Sequence, residues 1–82
     1  MFRAEDILAL LRAKPFEPFR IRLSDGSAFE IRHPELAIVD RNQVIVGVPG
    51  PRGPDDPVEQ TVMCAIVHIT RTENANGKAQ PR

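Results

Sequence analysis

The chain contains no tryptophan and no tyrosine, and phenylalanine is its only aromatic residue. Large aromatics supply many binding hot spots, so their scarcity weakens any claim to a specific ligand site. The single cysteine, Cys64, excludes an internal disulfide and fits a reducing cytoplasm. There is no charge excess: eleven basic and eleven acidic residues cancel. A generic nucleic-acid binder usually carries a basic surplus, because neutralising phosphates supplies most of its affinity. The same balance lowers the electrostatic cost of self-association. No apolar run approaches the ~20 residues of a spanning helix. The N-terminus carries acidic residues and lacks an apolar segment of signal length. A soluble, cytoplasmic protein with no membrane partner is expected. A phosphate loop is also missing, since Gly50 and Gly53 are flanked by prolines and precede neither a helix nor a Lys-Ser/Thr pair.

What is present is local structural punctuation. Eighty-two residues permit one domain, and a chain this small buries only about 60% of its unfolded surface, so the core is thin. Ala4 to Lys14 reads as an amphipathic helix with Ile7, Leu8, Leu10 and Leu11 on one side. Glu5 and Asp6 in its first turn and Arg12 and Lys14 in its last complement the helix dipole. Pro15 stops it, because the residue before a proline avoids the α region. Phe19, Ile21 and Leu23 then alternate with Arg20, Arg22 and Ser24, the pattern of a half-buried strand. Asp25-Gly26 signals a tight hairpin, expected as a type I′ turn with positive φ at both central residues. The returning strand places Phe29 and Ile31 inward and Ala28, Glu30 and Arg32 outward, with Glu30 facing Arg20 or Arg22.

His33-Pro34-Glu35 interrupts the pattern, because proline removes a ladder donor. Leu36 to Val39 and Gln43 to Val48 read as further strands, separated by an Asp40-Arg41-Asn42 turn. Pro49 to Pro57 is an exposed loop. Val58 to Thr72 resumes β character but is too long for one ordinary strand. It is apolar in both alternation phases from Val62 to Val67, which calls for a kink near Cys64-Ala65-Ile66 that splits it into two strands. Consecutive short antiparallel strands must curl to bury one face. The fold class expected is mostly β with one N-terminal α-helix: a small, strongly bent, five-stranded antiparallel barrel over residues 1–72. Residues 73–82 are polar and unpatterned and are expected to form a disordered tail.

Two resemblances follow. Pro15-Phe16-Glu17-Pro18-Phe19, Asp25-Gly26 and His33-Pro34-Glu35 together resemble a group of short uncharacterised bacterial proteins sharing a Pro-Phe-x-Pro-Phe start, an Asp-Gly turn and a His-Pro-Glu step. That likeness covers the first half of the chain and implies no activity. A helix followed by five bent strands is similar to the Sm-like (Hfq-like) fold, which implies ring-forming edge pairing and RNA binding. The chain departs from that pattern where a Lys-His pair is expected near the last strand, since Cys64-Ala65 stands in that neighbourhood. The resemblance therefore transfers a fold and no RNA site.

The remaining candidates are few. Arg20, Arg22 and Arg32 share the expected solvent face of one hairpin and can meet phosphates. His33 and Glu35 form the most distinctive polar cluster, whose plainer reading is a bend satisfying backbone groups freed by Pro34. These five residues are the candidate binding set. Cys64 and His68 are too few for a metal site, which normally needs three or four ligands, and Cys64 lies in an apolar run where a thiol is usually inert. No catalytic residue, metal or cofactor is expected. The function indicated is a non-catalytic, homo-oligomeric binding or scaffold module, with Val44, Val46 and Val48, or Met63 and Val67, as edge or interface candidates. An RNA-binding ring is the alternative, and a small hydrolase or metal-dependent enzyme is the weakest reading.

Overall fold

In the computed structural model, which describes residues 2–53 and 56–75, one helix is followed by six strands in two antiparallel sheets. Helix α1 spans Ala4–Arg12. Its first turn is tied down by the Arg3 amide, which donates to Asp6 Oδ2 at 2.8 Å. It ends at Arg12, two residues short of the expected Lys14, and Ala13 is already extended, with ψ 142°. Ile7 is fully buried, Leu10 and Leu11 pack on the core, and α1 lies against β3 (Ala37–Val39).

The first sheet has the order β2-β1-β6, from β1 (Phe19–Leu23), β2 (Ala28–Ile31) and β6 (Ile69–Asn74). The second has the order β3-β4-β5, adding β4 (Gln43–Pro49) and β5 (Val58–Ala65). Alternation works as expected in β1, where Phe19 and Ile21 are buried and Arg20 and Arg22 face out. The hairpin forms, but not as a type I′ turn: Gly26 takes φ +91° while no non-glycine residue among those described has positive φ. A three-residue connection results, with Leu23 N–H donating to Ser27 O at 2.9 Å and Gly26 N–H to Leu23 O at 3.0 Å. Asp25 Oδ1 braces it by accepting from Ser27 N–H at 2.9 Å and Ser27 Oγ–H at 2.6 Å.

The expected closed five-stranded barrel is not the fold. Two short 3-10 turns break the strands, Pro34–Leu36 between β2 and β3 and Ile66–His68 between β5 and β6. Each break carries the chain from one sheet to the other, and among the described residues no ladder joins the two. At the first, Pro34 has no N–H to give a ladder. At the second, Ile66 N–H still donates to Asn42 O at 2.9 Å, one step beyond the Gln43–Ala65 pair, and the 3-10 turn begins at that residue. The run from Val58 yields two strands, as the expected kink implies, and the count among the described residues is six where five were expected.

Side chains hold the sheets together. Ile21 and Ile31 from the first sheet, Val44 and Val46 from the second and Ile7 from the helix are each at most 1% exposed. Each such burial is worth roughly 1.5–3 kcal/mol relative to exposure. Val44 and Val46 are therefore core residues of a central strand, not the edge residues expected. The C-terminal boundary also moves. Glu73 and Asn74 belong to β6 and Ala75 is 4% exposed, so the strand runs past Thr72. The rest of the expected tail, 76–82, lies outside the described residues. No described helix is long and apolar enough to cross a membrane.

Candidate functional site

Strand alternation and register assemble a charged face on the outside of the first sheet. Arg20 lies between Glu30 of β2 and Glu73 of β6, while Arg22 lies between Ala28 and Arg71. Arg20 Nη2 meets Glu30 Oε1 at 3.0 Å and its Nη1 meets Glu73 Oε1 at 3.3 Å. Arg32 Nε meets Glu30 Oε2 at 2.5 Å, and its Nη2 donates to the Ala75 carbonyl at 3.1 Å. Glu73 Oε2 is shared by Arg22 Nε at 3.0 Å and Arg71 Nη2 at 2.8 Å. The Arg22 contact is Coulombic: its buried Nε–H is not aimed at the carboxylate and meets no other acceptor among the described residues.

The carboxylates register this setting. For Glu30, burial works to raise the pKa, but hydrogen bonds from Arg20 and Arg32 outweigh it and hold the group below the ordinary value. Glu73 is also lowered, first by the neighbouring Arg22 guanidinium and further by Arg20 and Arg71, against some desolvation. These pairs are partly exposed, so each contributes roughly 0–1 kcal/mol to stability.

Of the five residues predicted to bind, Arg20, Arg22 and Arg32 come together on this face. His33 is half-buried where β2 gives way to the 3-10 turn, and its carbonyl accepts Leu36 N–H at 3.0 Å. Glu35 is exposed in that turn and takes no part in the arginine network. Sequence reading missed Arg71 and Glu73. Arg71 lies in the stretch read as β without standing out there, and Glu73 falls in the expected tail, because Thr72 and Asn74, between and beyond them, are polar.

A second grouping also escaped the sequence. Ser24, Asp25, Cys64 and His68 line one cavity of ≈ 250 Å³ at the hairpin end. Ser24 Oγ and His68 Nδ1 are 3.3 Å apart, and Ser24 N–H donates to His68 O at 2.8 Å. Burial raises the Cys64 pKa, and the charge of Asp25 adds to this, so the thiol stays protonated and is a poor nucleophile. A larger open groove of ≈ 790 Å³ runs between the first turn of α1 and the β3–β4 turn, past Phe2, Leu8, Val39 and Val67.

The second sheet presents a different surface. Ile38, Ile45 and Met63 sit directly opposite one another across β3, β4 and β5. Ile38 is 65% exposed and Met63 69%. No protein-family model, curated protein or solved structure matches the chain.

Proposed function

We propose that the chain is a non-catalytic association module whose β5 edge pairs with the β5 edge of a second copy. The observation behind this reading is the state of the sheet edges. β5 is the longest strand among the described residues, at eight, and it ends its sheet. From Gln60 to Ala65 it holds no charge and no proline. The other edges are blunted in ways natural proteins use against pairing. β3 has three residues, β2 has four and runs into Arg32-His33-Pro34, and β6 bears Arg71 and Glu73.

A second copy is the partner favoured by symmetry. Two β5 strands pairing antiparallel about a two-fold axis satisfy each other's main-chain donors and acceptors. An axis normal to the sheet keeps both Met63 side chains on the same face, so two Ile38–Ile45–Met63 rows join into one apolar band. The net charge of zero adds no long-range repulsion. The raised pKa of Cys64 supports the non-catalytic part of the reading.

Mass measurement by light scattering across a concentration series, with and without RNA, tests this. Dimers or larger even-numbered species are expected, with mass unchanged by RNA. In a Thr61→Lys/Met63→Lys variant, like charges face each other across the axis, and monomers of unchanged circular dichroism are expected. A wild-type monomer at high concentration, or a variant that still dimerises, refutes the proposal.

A further inference from the structure

We propose that the row Ala28–Arg22–Arg71 on the outer face of the first sheet binds a dianionic phosphoryl group, free or as a terminal monoester. Register sets Arg22 directly opposite Arg71. Like charges so placed, with Cβ atoms roughly 4.5–5.5 Å apart, repel unless an anion lies between them. The anion present is one oxygen: Glu73 Oε2 lies 3.0 Å from Arg22 Nε and 2.8 Å from Arg71 Nη2. That carboxylate is also engaged by Arg20 through Oε1.

Charge accounting isolates the pair. The neighbouring row, Glu30–Arg20–Glu73, alternates in sign, and Arg32 answers its extra negative charge through Glu30. Among the described residues, four guanidiniums against two carboxylates leave two positive charges on this face, and they belong to Arg22 and Arg71. On the far side of Arg22 stands Ala28, exposed and too small to cover it. Arg71 is the most open of the four, its side chain 57% exposed.

A phosphate monoester carries about −1.5 to −2 charges near neutrality and three strong acceptor oxygens. It matches the surplus in both sign and size, whereas a single phosphodiester supplies half of it. The planar guanidinium fork suits phosphate geometry. This surface is on the opposite sheet from the β5 edge, so the inference stands whether or not the chain dimerises.

The test is a titration of the full chain with inorganic phosphate and with phenyl phosphate, followed by the amide and arginine Nε–H signals of residues 22, 28 and 71. Saturable binding centred on those signals is expected. Preference for phenyl phosphate assigns the site to an esterified group and preference for inorganic phosphate to the free ion. Arg71→Gln weakens binding about tenfold or more, the effect of losing a charge-assisted hydrogen bond. Ala28→Glu supplies the missing anion beside Arg22, abolishing binding without lowering the urea midpoint. Arg41→Gln, in the distant β3–β4 turn, leaves binding unchanged. Non-saturable shifts overturn the proposal, as does binding that survives Ala28→Glu and Arg71→Gln. So does an RNA oligonucleotide without terminal phosphate that binds the same residues as tightly as phenyl phosphate.

Discussion

Replacing Ile7 with alanine measures what joins the two sheets. Among the described residues no ladder connects them, so their association depends on side chains meeting in the shared core. Ile7 is the buried residue of α1, at 0% exposure. Ile7→Ala removes three carbons, or about 2.4 kcal/mol at ~0.8 kcal/mol per buried methylene. The residual cavity brings the total into the range of about 2–5 kcal/mol seen for such truncations. That is a large fraction of the roughly 5–15 kcal/mol that stabilises a typical domain. α1 cannot compensate, because a helix of nine residues is marginal in isolation. Urea unfolding followed by circular dichroism reads the effect. With a slope near ~1 kcal/mol/M for a small domain, the midpoint falls by about 2 M or more. Leu8→Ala is the internal control, since Leu8 lies on the open groove and is only half-buried. A midpoint shift for Ile7→Ala no larger than that for Leu8→Ala refutes the claim that α1 anchors the sheets through Ile7.

Two further outcomes follow from the charged face and the hairpin. Glu30 and Glu73 have folded pKa values below the ordinary 4.5. Their stabilisation is therefore complete above that pH and is lost as pH falls through the lower folded values. The urea midpoint should decline below about pH 4.5, and Glu73→Gln should flatten the decline; an unchanged acid limb in that variant contradicts the assignment. Gly26→Ala forces a side chain into φ +91° and should cost about 1–2 kcal/mol, even though its Cβ meets nothing within 4 Å. A neutral result in thermal unfolding shows that the turn relaxes to another conformation.

The legible parts of this fold are those whose signal is local. The Phe19–Leu23 alternation announced both the strand and the side on which Arg20 and Arg22 stand, and Pro34 announced the break after β2. The doubled apolar phases around Cys64 pointed to a division that occurs within three residues of where it was expected, at Ile66–His68. The candidate site was half visible. Arg20, Arg22 and Arg32 announced themselves by alternation, whereas Arg71 and Glu73 reach them from β6, about fifty positions along the chain. With Thr72 and Asn74 inward, β6 lacks the apolar alternation that marks a strand. Its place comes from the main-chain partners that β1 offers.

Sequence alone determined the helix, which ends at Arg12 just ahead of Pro15, the first hairpin and the inward set of Phe19, Ile21 and Ile31. Sterics and side-chain period act over a few residues and need no distant partner. Tertiary structure decided which edges meet. It sent β6 to β1 and β5 to β4, left two sheets where a closed barrel was expected, and gathered Arg71 and Glu73 onto the arginine face. The physical reason is that main-chain donors and acceptors are alike along every strand. Pairing over long separations is chosen by what the joined sheets bury, and that sum exists only once the whole chain is folded.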